Sequence, residues 1–289
     1  MPTLKEYNVK LTRLRSTRKL TRTMKLVSVN KLRRAQDAEK RVADFTGHIH
    51  NMIGRLTSVR DAAEDHPLLN PHKTSRNILL LVITSDRGLC GGFNNNLLRE
   101  TAKWIAIKQN NSTVRISCCG RKAHAFLKSR FAVDRFYDQA MIRPNFAAAR
   151  QIGHELLSGF LSERLDEIHI AWNKTGAMIN PIPAIERLIP VDPSLIPAGD
   201  GAASQTWLVE PGKAALLEAT LPNLVTLRLY QTLLSSAAGE HGARMRAMDQ
   251  ATSNADNLIR SLTLQRNRAR QAQITTELTE IVAGAEALR

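Results

Sequence analysis

The stretch that decides the fold is the last one, Glu240-His241-Gly242-Ala243-Arg244-Met245-Arg246-Ala247-Met248-Asp249 and onward to Leu288. After Gly242 there is no glycine until Gly284, and there is no proline at all. Met248, Ala255, Leu262 and Ala269 lie seven apart, with Ala251 and Leu258 between them. Ile274, Leu278, Ile281, Ala285 and Leu288 continue the stripe after one slip of phase. Apolar residues recurring three and four apart make a coiled-coil seam, and a slip of phase locally unwinds the supercoil. A seam of this kind needs a second long helix to cover it.

The other end of the chain supplies that helix. It is expected to begin at Thr3, an N-cap with Glu6 at the capping-box position, and to continue to about Arg60. Leu4, Tyr7, Leu11 and Leu14 open its stripe, and Ala38, Val42, Phe45, Ile49, Met52, Leu56 and Val59 close it. Between these the seam weakens, with Thr21, Met24, Ser28, Lys31 and Ala35 at the matching positions. Residues 1–41 carry thirteen Lys and Arg against Glu6, Asp37 and Glu39, so this stretch holds +10 of the chain's net +15. A single sign kept over many turns predicts an acidic or phosphorylated surround.

At 289 residues and 43% hydrophobic content the chain can bury a substantial core. Aromatics at 4% argue against a platform of stacked bases. Cys90, Cys118 and Cys119 are an odd set without a CxxC, and adjacent strand residues point to opposite faces, so a disulfide framework is not expected. No apolar run reaches the roughly 18 residues of a membrane span. The Arg-rich start has the composition of an organelle transit peptide, but the helical pattern runs through it without a break.

Between the end helices, His66 to Ser75 reads as a linker. Ile78 to Ile83 is a continuous apolar run, as in a strand buried on both faces. Helices are predicted over 95–108, 121–128 and 146–164, and strands over 114–118, 167–172 and, as a further extended segment, 184–189. Strands alternating with helices argue a small, mostly parallel, doubly wound sheet. Pro190 to Ser204 reads as a mobile loop and Trp207 to Pro211 as a short strand. Pro222 is expected to kink or start the final helix. The fold expected is therefore α/β: a long antiparallel coiled coil of the N- and C-terminal helices flanking a small Rossmann-like doubly wound domain. The divisions are 1–62 for the first helix, 76–192 for the α/β part, and 207–289 for the short strand and last helix.

Chemistry-bearing motifs are scarce. The loop Ser85-Asp86-Arg87-Gly88-Leu89-Cys90-Gly91-Gly92 follows a buried strand and precedes a helix, where backbone amides can hold an anion. Its spacing matches neither GxGxxG nor a P-loop, so a structural or partner-contacting turn is the stronger reading. The eight histidines form no HExxH and no Cys/His cluster. Neither a GxSxG elbow nor a carboxylate pair asks for an active site. No cofactor, metal or catalytic residue is expected.

Several stretches resemble the gamma-subunit family of the rotary ATP synthases. They are Met24-Lys25-Leu26-Val27-Ser28 followed by Lys31-Leu32-Arg33-Arg34-Ala35-Gln36, the Ser85 to Gly92 loop, and Ala243 to Asp249 with Asn267 to Ala272 and Ile274 to Val282. The resemblance implies a non-catalytic central stalk with its helix pair inside a hexamer of alpha and beta subunits. Further implied partners are the epsilon and delta subunits and a membrane ring of c subunits, at the cytoplasmic face of a bacterial inner membrane. It places Met24, Lys25, Arg244, Gln271 and Thr275 at the hexamer, and Arg87, Cys90, Trp207, Val209 and Glu210 toward the ring and epsilon. The chain departs from the family pattern at Cys118 to Lys122 and Thr175 to Ile179, and at two positions of the stretch holding Trp207, Val209 and Glu210, where the family often has tyrosines. The loop from Pro190 to Thr206 lacks Cys, so thiol regulation of the chloroplast type is not expected.

From the residues alone two other readings stay open: a basic coiled coil that binds nucleic acid, and a nucleotide-dependent enzyme built on the α/β part. Phosphate binding is recognised by its steep loss with salt. The enzyme would need the ligand fingerprint that the Gly88 to Gly92 loop lacks.

Overall fold

The computed structural model describes residues 3–57, 66–72, 76–175, 180–192 and 212–286. Helix α1 runs Leu4–Thr57, then β1 Asn77–Ile83, α2 Phe93–Lys108, β2 Thr113–Cys119, α3 Arg121–Leu127, β3 Val133–Tyr137, α4 Phe146–Leu161, β4 Glu167–Thr175, β5 Pro181–Ile189 and α5 Lys213–Glu286. Two compact units result: Met1–Ser28 with Arg244–Arg289, and Val29–Ala243.

The larger unit is built on a five-stranded sheet in the order β3-β2-β1-β4-β5. The apolar run of β1 lies at its centre, parallel to β2 from Asn77↔Thr113 to Ile83↔Cys119 and parallel to β4 from Ile78↔Glu167 to Val82↔Ala171. Only β5 runs antiparallel, pairing with β4. Alternate residues of β1 divide between two cores, as the pleat requires. Leu80 and Val82 pack with Ile116 and Cys118 beneath α2 and α3. Leu79, Leu81 and Ile83 pack with Cys119, α4 and the first part of α5. Cys118 and Cys119 thus sit in different cores, with helices covering both faces of the sheet.

Four expectations need correction. The stretch taken as a linker begins as packed structure: Leu68 and Leu69 are buried, and the Leu68 carbonyl accepts the Val191 N–H at 2.8 Å. Strand β3 was not foreseen, because Val133-Asp134-Arg135-Phe136-Tyr137 is a short edge strand with polar residues facing out. The final helix starts at Lys213, and Pro222 lies inside it. Its first stretch is held by burial of Leu217, Leu221, Leu224 and Val225, which outweighs the hydrogen bond that proline forfeits.

The fourth correction concerns phase. Counting three and four alternately from Leu11 reaches Thr21, Ser28, Leu32, Thr46 and Ile53, all buried. Phe45 is 55% exposed and Lys31 is exposed, although the apolar pattern and its continuation had placed them on the seam. On α5, Leu258 is likewise 52% exposed, while Thr252 and Ile259 are partly buried in its stead. The larger side chain attracted the reading, but helical geometry puts the smaller or more polar neighbour inside. The Trp207 to Pro211 strand and the loop beyond Asp192 fall outside the described residues.

Candidate functional site

The smaller unit is a helix pair. The Thr3 hydroxyl accepts the Glu6 N–H at 3.4 Å, so the expected cap starts α1. Arg18 Nη1 meets Asp256 Oδ1 at 2.9 Å, Thr21 Oγ1 meets Thr252 Oγ1 at 2.7 Å, and Lys25 Nζ meets Asp249 Oδ1 at 2.5 Å. Rising numbers on α1 meet falling numbers on α5, so the helices are antiparallel. Leu11, Thr21, Ser28, Met248 and Ala255 are buried along the join.

This register decides where pairing ends. Carried back from Thr21 and Thr252, it sets Leu4 opposite residues near 270, so α5 runs on for about four turns with no α1 beside it. Every residue from Arg270 to Ala285 is exposed. Ile274, Leu278, Ile281 and Val282 share one face of this overhang at 48 to 67% exposure. After Arg270 at its start, its charges are Glu277 and Glu280, whereas the paired part of α1 is overwhelmingly basic.

Gln271 and Thr275 lie on this overhang, both exposed, with the Thr275 hydroxyl donating to the Gln271 carbonyl at 3.0 Å. Met24 is partly buried. Arg244 is buried at 8% exposure, and Lys25 is engaged by Asp249 of its own chain. Asp249 and Asp256 escaped the sequence reading as functional groups. The signal was present: two acids seven apart on α5 mirror Arg18 and Lys25, seven apart on α1.

In the larger unit the Ser85 to Asn94 loop leaves the C-terminal end of β1. In open α/β sheets ligands bind there, beside the point where strand order reverses, here between β1 and β4. The loop fills this place with its own groups. Asn94 Oδ1 accepts the Ser85 N–H at 3.0 Å, and Asn94 Nδ2 donates to Ser85 Oγ at 2.7 Å. The Asn173 side chain donates to the Phe93 carbonyl at 3.0 Å. The amides at the start of α3 are also occupied: Arg121 by Asp86 Oδ1, Lys122 by the Ser85 carbonyl and Ala123 by Thr84 Oγ1. An anion would have to displace these oxygens, which favours the structural turn over a phosphate cradle.

Cys90 is 2% exposed and packs with Phe93 against Ala243 of α5, with Asn94 Nδ2 at 3.2 Å from its sulfur. Its side chain is turned inward and ties the loop to the last helix. Leu89, at φ 63° and 62% exposed, points outward from the loop, and Arg87 is exposed beside it. Trp207, Val209 and Glu210 lie outside the described residues.

Residues 3–288 match a family profile described as ATP synthase. The ATP synthase gamma chain of Geotalea daltonii is 38% identical over 290 residues, and that of an Anaeromyxobacter species 41% over 295, each alignment spanning 100% of both chains. The chain belongs to the ATP synthase gamma-chain family. As a gamma chain it is a non-catalytic subunit of the ATPase complex. A chain of the Euglena gracilis mitochondrial ATP synthase superposes with a TM-score of 0.64 at 18% identity, covering 99% of this chain and 94% of that one. One from the central stalk and c-ring of the Tetrahymena thermophila enzyme gives 0.59 at 22%, covering 80% and 99%. At such identities the likeness is one of fold. No helix among the described residues is long and apolar enough to cross a membrane.

Proposed function

We propose that this gamma chain is the central rotor shaft of an F-type ATP synthase, coupling ion flow through a membrane ring of c subunits to ATP synthesis or hydrolysis in an alpha/beta hexamer. The observation that carries the reading is the overhang of α5, helical and wholly exposed from Arg270 to Ala285, with an apolar face that nothing among the described residues covers. A helix so exposed gains little from its own fold, since isolated helices of this length are marginal in water. A sleeve formed by other subunits supplies what the fold omits.

In this reading residues 1–62 and 207–289 carry the shaft and 76–192 the part beside the ring. Gln271 and Thr275 meet the hexamer directly, and Met24 meets it at the edge of the helix pair. Arg244 acts from within the shaft, and Lys25 shares its charge between Asp249 and acidic groups of the hexamer. Arg87, Trp207, Val209 and Glu210 lie toward the ring and epsilon, and the delta subunit belongs to the same complex. The nucleotide sites belong to the beta subunits. The complex sits peripherally at the cytoplasmic face of a bacterial inner membrane.

Co-expression with the alpha and beta subunits tests the reading. One copy of the chain is expected to purify with six large subunits and to stay bound as salt is raised from about 50 to about 200 mM, a range over which phosphate-backbone binding collapses. Elution of the chain alone, or with salt-sensitive nucleic acid, would refute it.

A further inference from the structure

Within α1 the apolar seam lapses for about three turns. Counted from Leu14 in steps of four and three, its positions hold Arg18, Thr21, Lys25 and Ser28. Directional contacts replace apolar burial here: Arg18 to Asp256, Thr21 to Thr252 and Lys25 to Asp249. Steps of three and four up α1 are matched by four and three down α5, so all three contacts share one register. Apolar side chains tolerate sliding, whereas a hydroxyl pair at 2.7 Å is lost within a fraction of a turn.

The flanking charges act against the alternatives. A slip of one turn in one sense brings Arg260 opposite Arg18, and in the other sense brings Arg246 opposite Lys25. Each slip therefore replaces an ion pair by like charges, the device by which antiparallel and parallel coiled coils alike exclude wrong pairings. We propose that this six-residue polar tract sets the register of the shaft, with the Thr21–Thr252 hydroxyl pair fixing it and the two ion pairs rejecting one-turn slips. Its cost is apolar burial forgone at the centre of the pair. The register itself depends on this chain alone; only its bearing on torque rests on the rotor reading.

Disulfide trapping in the full chain tests it. Leu14→Cys is combined with Ile259→Cys, which lies opposite in the native register, or with Ala255→Cys or Thr263→Cys, each one turn away. In the otherwise native chain, and in Thr21→Ser with Thr252→Ser, the first combination is expected to oxidise several-fold faster than the other two. In Thr21→Val, Thr252→Val, Arg18→Gln and Lys25→Gln together, the offset combinations are expected to rise several-fold while thermal stability holds or increases. Asp249→Arg, an exposed change that leaves the core untouched, is a second route and is expected to raise trapping at Ala255. Offset trapping that stays at the native level in both variants overturns the proposal, as does equal trapping at all three positions in the native chain. No alpha or beta subunit is needed, so failure here leaves the rotor reading standing, and failure of that reading leaves this test intact.

Discussion

The side chain that any residue but glycine would carry at Gly120 collides with the main-chain carbonyl of Thr84. Gly120 ends β2 with φ at 98°, the Thr84 N–H donates to the Cys119 carbonyl at 2.9 Å, and the Thr84 hydroxyl accepts the Ala123 N–H at 2.8 Å. The exit of β1 and the turn from β2 into α3 are thus pressed together with no space for a Cβ. Gly120→Ala adds both a clash with backbone and a left-handed conformation. We expect a loss on the order of 3 kcal/mol in chemical denaturation, from strain and forced displacement together. A loss below about 1 kcal/mol, the ordinary cost of a point change, would show that the two turns are free to separate.

Asp166 supports the opposite end of the same strand. Its Oδ2 accepts the N–H groups of Arg76 and Asn77 at 2.9 and 2.8 Å, and its Oδ1 lies 3.3 Å from His72 Nδ1. Burial alone would raise this carboxyl, but the two backbone donors and His72 outweigh it and hold the pKa below the usual aspartate value. A group depressed in the folded state contributes fully above its unfolded pKa, about 3.9, and its contribution fades as pH falls through the folded value. Asp166→Ala removes the charged acceptor of both N–H groups, so it is expected to cost about 1.5 to 3 kcal/mol at pH 7. It should also flatten the acid limb of a stability-versus-pH curve. An acid limb as steep as the native one would assign the effect to other carboxylates.

The three cysteines should be inert in the folded chain. Burial pushes the Cys118 thiol up to about 12 and raises Cys119 as well, the latter helped by Cys118 and Asp86 nearby. Cys90 is buried in the loop core. With so little thiolate at neutral pH, none of them is expected to react with a disulfide reagent until the chain unfolds, when all three should react. Labelling followed by mass spectrometry reads this directly, and fast labelling of Cys118 or Cys119 without loss of helix content would contradict it.

How far the sequence disclosed this molecule depended on how sharply its side chains take sides. The run from Ile78 to Ile83 is buried on both faces and reads as a central strand without ambiguity. Strand β3 alternates weakly at a sheet edge, and its residues belong as readily to a loop. The seam was visible but displaced by one residue in places, because Thr46, Thr252 and Ile259 face inward beside the exposed Phe45 and Leu258. A hydrophobicity pattern records composition, whereas burial records angle. The candidate contacts divided in the same way: Gln271 and Thr275 lie open, while Arg244 and Cys90 are enclosed by the chain itself.

The overhang of α5 offers the sharpest distinction between shaft and nucleic-acid binder. Ile274, Leu278 and Ile281 contact nothing that the fold needs, being 48%, 58% and 67% exposed on a stretch without a buried neighbour. Replacing all three by serine is therefore expected to change the stability of the free chain by less than about 1 kcal/mol, the scale of surface changes. In a complex that covers this face the result is different, since burying a large aliphatic side chain contributes about 1.5 to 3 kcal/mol. The triple variant should thus assemble with alpha and beta subunits at lower yield, and the assembled complex should dissociate at lower temperature. A phosphate-binding protein would respond oppositely: neutralising Arg22, Arg33 and Arg34 would abolish binding, and the apolar changes, next to Glu277 and Glu280, would leave it unaltered. Thermal dissociation of the purified complex, measured beside unfolding of the free chain, separates the two. Unimpaired assembly of the triple variant would mean that the apolar face of α5 is not where the sleeve grips the shaft.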